Sequence, residues 1–431
     1  MAVEWLDWYA VAKYAFLFCI FIVAWGVMTH TRLRYIITAV GLVQAFIVFG
    51  QFSGLIQSRH ILFDVTGFMG NPGQMGGFQA VASVCCLSLI KEYRHGQKVW
   101  LMAVFALLSL SLAVSDSRAA WSAMLAGTAF VYRKEIHGAF KKRKYLIPVS
   151  VAVLAGFAVG LYFYRSGSAD ARLLIWRVSL DMIADRPLTG FGPGNFPRYY
   201  MLYQADWFRA HPDSEFAAVA DNAVYSFNEY IKLAVEAGLP GLLLFVAALC
   251  LLWHYTKDRD SFASLTTLLV FGFFSYPSDK LLPASLMPLI TGTVLHDRFG
   301  ALSGNAGVRF SAMAATAVMA MAIYVFSGMG HPEKHYAGIP DCETWCDLGQ
   351  ASEAAGEPGQ AEEYYRTASY MIPTRLRPNY LLWKLYLDAG RNDDATRTAW
   401  KILSMPLKVE NTYTLRVKDE VREWLAGRTG D

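Results

Sequence analysis

Apolar runs long enough to cross a bilayer recur down this chain, near residues 9–29, 35–55, 74–90, 98–114, 118–132, 146–164, 228–253, 261–277, 280–296 and 309–327. No feature constrains the fold more. In hydrocarbon every backbone polar group must find a partner inside the protein, so such a chain folds as an all-α polytopic transmembrane bundle. With 55% hydrophobic residues against 17% charged, the composition is too apolar for an ordinary soluble domain. The expectation is about ten spans, roughly ten to twelve at the widest, over residues 1–330.

Basic residues set the orientation. They gather in alternate loops: Arg32 and Arg34, then Lys91, Arg94 and Lys98, then Arg133, Lys134 and Lys141 to Lys144, then Lys257 and Arg259, and finally Arg298 and Arg309. These loops are expected in the cytoplasm, which puts the long polar loop at 165–227 and everything after residue 328 outside. The net charge of +4 belongs to those loops and calls for no nucleic-acid partner. Glu4 and Asp7, where a signal peptide would be basic, mark the first run as a retained helix.

Before the third run, Gly-Asn71-Pro-Gly makes a turn: either a plain re-entry, or a place where Asn71 lines a polar cavity. The fourth run ends in SDSRAAW. Arg118 there either faces a cavity, as charges near a bilayer do, or snorkels beside Asp116.

The external loop opens with an amphipathic helix on which Leu173, Trp176, Leu180 and Ile183 recur along one face. Arg172 and Trp176 share a face, and Arg172 has no acid one turn further on, which suits it to an anion. Arg177 stands four residues before Asp181, as in an ordinary helical ion pair, and Trp176 fits an interface anchor equally well. Pro187 and the glycines at 190, 192 and 194 then force a tight irregular segment. His211 is either a base or a solvated loop histidine. At the return to the membrane, Asn222, Tyr225, Asn228, Glu229 and Tyr230 crowd together. If a helix starts at Asp221, Asn222, Tyr225 and Glu229 share one face and form a rim suited to sugar hydroxyls.

From 341 to 431 the chain turns charged, Ala-rich and aromatic. Gly356 and Gly390 are 34 residues apart, as are Ala361 and Ala395. That period suggests two tetratricopeptide-like helix pairs and a capping helix near 412–426, a small solenoid able to bind a protein partner or pack on its own chain. Cys342 and Cys346 there would pair only if the segment is not a regular helix. No cysteine or histidine spacing suits a metal site.

Taken together, GFMGNPG, SDSRAAW, RLLIWRVSLDMIADRPLTGFGPGNF and FNEYIKLAVEAGLPG resemble the O-antigen ligase and polymerase superfamily of bacterial envelope-glycan enzymes, over roughly residues 60–250. The resemblance implies glycosyl transfer on the external face of the bacterial inner membrane, without metal or cofactor. The donor would be a glycan on undecaprenyl diphosphate, and the acceptor a hydroxyl of lipid A–core, of a growing glycan or of an exported protein. It further implies that Arg172 and Arg118 hold the diphosphate and that Trp176 supports the loop helix. The family's histidine before the Asn of the re-entering segment is replaced here by Phe227, which leaves Glu229 or His211 to take the proton. Within the resemblance, a repeat-unit polymerase is an alternative. Outside it, a lipid-linked-glycan transporter would place polar residues through the depth of several spans, and a plain membrane anchor for the tail would need only one or two spans.

Overall fold

The computed structural model describes residues 8–58, 60–93, 95–164, 166–256, 261–300, 341–406 and 411–429. The described residues are helical, without a strand among them, and divide into two compact units. One takes in residues of 1–164 and 227–332, the other residues of 165–226 and 333–431.

The first unit contains α1 (Trp8–Val27), α2 (His30–Phe52), α3 (Pro72–Glu92), α4 (His95–Val114), α5 (Arg118–Val131), α6 (Arg133–Lys142), α7 (Leu146–Tyr164), α10 (Glu229–Tyr255), α11 (Ser261–Phe274) and α12 (Leu281–Phe299). Helices lie at each expected position except 309–327, which falls outside the described residues. Five are long and apolar enough to cross a membrane: His30–Phe52, Pro72–Glu92, Gly96–Val114, Leu146–Tyr164 and Glu229–His254. Lys13–Val27 and Phe262–Phe274 are shorter apolar helices. This is the pattern of a helical membrane protein, although the expectation of about ten spans exceeds what length and hydropathy alone support.

Helix α3 is the axis, packed by α2, α4, α5 and α11. Asn71 starts it, accepting from the amides of Gly73 and Gln74 at 2.9 and 3.2 Å, and Pro72 fills a position whose N–H would otherwise go unused. Small residues then let neighbours approach closely: a methyl group on Gly77 would run into the Phe271 ring, and one on Gly127 into Thr267. Side-chain amides bind the helices across the apolar core. Gln79 donates to the Gly41 carbonyl and to Ser111 at 3.1 and 2.6 Å, and Gln44 to the Met75 carbonyl at 3.2 Å. Helix α10 breaks where Gly238 takes φ 69° ahead of Pro240, which explains the AGLPG run. Cys85 and Cys86 are buried as apolar residues, whereas Cys250 is exposed on α10.

The second unit contains α8 (Ser166–Asp185), α9 (Phe196–Ala210), α13 (Cys342–Ala354), α14 (Pro358–Met371), α15 (Leu376–Asp388), α16 (Asn392–Ser404) and α17 (Thr412–Thr429). Helix α13 packs on α14, α15 on α16, and α9 lies between α8 and α14. Gly356 and Gly390 end α13 and α15 with φ 79° and 65°, which side chains rarely adopt. Trp383, Tyr386, Ala399, Ile402 and Val421 fill the core of the last three helices. Cys342 and Cys346 are free thiols one turn apart on regular helix, which settles the disulfide question against pairing.

Candidate functional site

The chain enters α10 by an unusual route. Phe227 sits at φ 52°, a left-handed backbone unfavourable for a bulky side chain, and Asn228 then caps the helix, its Oδ1 accepting from the amides of Tyr230 and Ile231 at 2.9 and 3.0 Å. The helix therefore begins at Glu229 and not at Asp221, because the cap forms about two turns later than expected and residues 220–228 are not helical. Asn222 and Tyr225 consequently share no helical face with Glu229.

On this first turn of α10 lies a group of charges that sequence reasoning only half found. The Glu229 carboxylate accepts from the amide and the hydroxyl of Ser278, at 2.7 and 2.6 Å. Lys232, 6% exposed, donates to the Ser278 hydroxyl at 3.2 Å and forms an ion pair with Asp279. Glu236, one turn on and 5% exposed, adds a third carboxylate. Buried charges survive in such a setting only when paired and hydrogen-bonded. Gly272 of α11 makes room for them, since a methyl there would press to 3.2 Å on the Glu229 side chain.

Beside the group opens a cavity of about 430 Å³. Glu229, Lys232, Glu236 and Ser278 form its polar wall, and apolar side chains such as Phe18, Leu268 and Met287 form the rest. One polar wall in an apolar chamber is the usual build of a small-molecule site. The carboxylates are not arranged for a metal: among the described residues no group of three His, Cys, Asp or Glu side chains is. The signal for Lys232 and Glu236 was present as two charges at helical spacing inside an apolar run. Asp279 and Ser278 lie 47 and 46 residues beyond Lys232 and carry no local signal.

The other candidates are spread over both units. In the first, Tyr230 donates to the Leu269 carbonyl at 2.9 Å, and Asn71 is spent on capping α3. Arg118, the first residue of α5, donates to the Leu161 carbonyl and ties α5 to α7, while Asp116 accepts from Tyr164 at 3.2 Å.

In the second unit, the buried face of α8 is Leu174, Ile175, Val178, Ser179 and Met182, whereas Leu173 and Leu180 are exposed. The expected stripe was displaced by one residue. Trp176 holds the end of the loop, its indole N–H donating to the Ser226 carbonyl at 3.1 Å. Arg172 is half-buried, and Arg177 is exposed without an ion pair to Asp181 among the described residues. Gly190, Gly192 and Gly194 all take positive φ, so the turn needs glycine at each. His211 stacks on Trp207, ring centres 4.5 Å apart, with Nδ1 2.9 Å from the Trp207 carbonyl, and so finishes α9. Asn222 reaches Asp341 and the Cys342 amide, both at 3.4 Å, and Tyr225 is half-buried. Tyr203 donates to Asp185 at 2.6 Å, and burial together with that carboxylate pushes its phenol well above the ordinary range.

No curated protein matches the chain. Residues 103–246, which span Arg118, Arg172, Trp176, Glu229 and Lys232, match the model of the O-antigen ligase family.

Proposed function

We propose that the protein is a glycosyltransferase of the bacterial inner membrane that moves a glycan from undecaprenyl diphosphate to an acceptor hydroxyl on the external face. The observation that carries this reading is the cavity at the head of α10, lined mostly by apolar side chains and by Glu229, Lys232 and Glu236, which lie in the segment that matches the O-antigen ligase family model. Apolar walls suit a substrate with a polyprenyl tail, and a carboxylate at the edge suits the proton of an attacking hydroxyl.

In this reading the acceptor oxygen attacks the anomeric carbon while the bond from that carbon to the phosphate oxygen breaks. The diphosphate leaves with the electron pair, and the hydroxyl proton passes to Glu229. Arg172 and Arg118 would steady the leaving diphosphate, since positive charge placed where negative charge develops lowers the barrier without a covalent intermediate. Trp176, by holding Ser226, supports the end of the loop from which α10 departs. The C-terminal helices are read as a tetratricopeptide-like solenoid, external with the loop.

The test is transfer by purified protein supplied with an undecaprenyl-diphosphate glycan and, in turn, lipid A–core, a Ser/Thr-rich exported protein and the donor alone, with Arg172→Ala alongside. Transfer that fails in the variant supports the reading, and the acceptor that works separates ligase, protein glycosylation and polymerase. Donor bound but never consumed would overturn it in favour of a transporter.

A further inference from the structure

The C-terminal helices and the external loop share one compact unit, and what joins them is specific. Helix α9 lies along α14 and buries Tyr200, Met201, Gln204, Ala205 and Phe208 to 1% exposure or less. Gln204 is the polar centre of this joint. Its amide donates to the Met371 carbonyl at 2.6 Å and to the Asp221 carbonyl at 3.3 Å, and its oxygen accepts from Tyr200 at 2.8 Å. One side chain thus satisfies a backbone carbonyl of the tail and one of the loop.

Five further contacts surround it. Thr374 donates to the Ala217 carbonyl at 3.3 Å, and Arg375 pairs with Asp221 at 2.8 Å. Asn222 bridges Asp341 and the Cys342 amide, and the Arg209 guanidinium lies 5.0 Å from the centre of the Tyr370 ring. The loop contributes residues from 196 to 222, and the tail its first two helices and the turn after them.

We propose that the partner of this face of the C-terminal helices is the chain's own external loop, so that the tail acts as the clamp that gives residues 196–226 their fold. The physical case is that a loop of this length cannot order itself on α8 alone. The ordering entropy of its residues has to be offset by burial, and the buried surface of α9 is shared with α14. The side of α13–α14 that meets the loop is then unavailable to a foreign polypeptide.

The tail carries its own reporters: Cys342, whose amide meets Asn222 and whose thiol donates to the Ala368 carbonyl, and Cys346 one turn on are both 0% exposed. The experiment compares full-length wild type with Gln204→Leu, which fills the same space but cannot donate, and with the milder Asn222→Ala. Hydrogen exchange is followed on peptides covering 196–226 and 368–376, with thiol alkylation mapped on the peptide carrying Cys342 and Cys346. In Gln204→Leu both peptide groups should exchange faster together, on the order of tenfold or more, and the thiols should become reactive while α16 and α17 keep wild-type protection. Asn222→Ala should show the same joint change on a smaller scale. Wild-type protection and silent thiols in both variants would overturn the proposal, as would a loop that loosens while 368–376 and the thiols stay protected. None of these readouts requires transfer activity, so lost transfer with an intact joint would count against the proposed function alone.

Discussion

The ring of Phe227 stands edge-on to that of Tyr276, centroids 5.0 Å apart at 86°. It does so from a backbone at φ 52°, where an aromatic residue is strained. Strain of this kind persists only where surrounding contacts over-determine it. Here the Asn228 cap follows immediately and Tyr276 leads into the turn that carries Ser278 and Asp279, so the strained residue joins the two segments from which the charge group is built.

Glycine accepts that backbone freely, whereas alanine keeps the strain and loses the ring. Phe227→Gly and Phe227→Ala should both lower the thermal midpoint in detergent, with the glycine variant the more stable of the two by about 1 kcal/mol. The opposite ranking would mean that the left-handed turn imposes no strain.

Glu229→Gln keeps an oxygen to accept from the Ser278 amide, so the fold should survive. Transfer should fall by about 10²- to 10⁴-fold, the contribution of a positioned base. Full transfer in this variant, measured beside the unchanged thermal midpoint, would remove Glu229 from the proposed chemistry.

Lys232→Met and Asp279→Asn each leave charged neighbours in an apolar setting without their main partner. Either should cost about 3–5 kcal/mol, while the double variant should lose clearly less than the sum. Denaturation in mixed micelles would measure all three. Additive losses would show that the pair is not coupled.

Gly127→Ala should cost about 1–3 kcal/mol, because the added methyl would meet Thr267 on α11 and Val84 on α3. A double variant with Thr267→Ala should recover part of that loss. If Gly127→Ala alone is neutral by thermal midpoint, the close approach of α5 to α11 is wrong.

In the tail, Glu362 accepts from Tyr386 at 3.0 Å and from Arg391 at 2.5 Å. Burial works to raise its carboxyl, but those hydrogen bonds and the charges of Arg391 and Arg366 prevail and hold it below the ordinary glutamate value. A depressed carboxyl contributes stability that is complete above the unfolded-state value of about 4.3 and fades as pH falls through the folded one. Hydrogen exchange in α14 and α15 should therefore accelerate as pH is lowered past about 4, after correction for intrinsic rates. Glu362→Gln should flatten that dependence, and an unchanged profile would refute the assignment.

How much of this was legible follows from how local each signal is. Hydropathy placed the helices because it is summed over a whole run, and glycine at 190, 192 and 194 announced a turn because the backbone there demands it. The face of α8 was read one residue off because Leu173 and Leu180 are apolar yet exposed, and period alone does not say which apolar side is covered. The start of α10 was read early because Asp221 and Asn228 are equally good caps, and only the second has its amides in place. Ser278 and Asp279 entered the site through the short connection between the runs at 261–277 and 280–296, which hydropathy leaves without a role. The joint of Gln204 with Met371 spans 167 residues, a separation across which one sequence offers no periodicity to read.

The break in α10 divides labour along a single helix. After Pro240 the helix runs through apolar side chains that settle wherever the hydrocarbon is thickest, while residues 229–237 are held by Ser278 and Asp279. A thinner or thicker bilayer changes the tilt of the first kind of segment at a modest cost per ångström of mismatch. A glycine at φ 69° lies between the two parts. Glu229 and its Ser278 partner thus stand on one side of the break, and the long apolar part of the helix on the other.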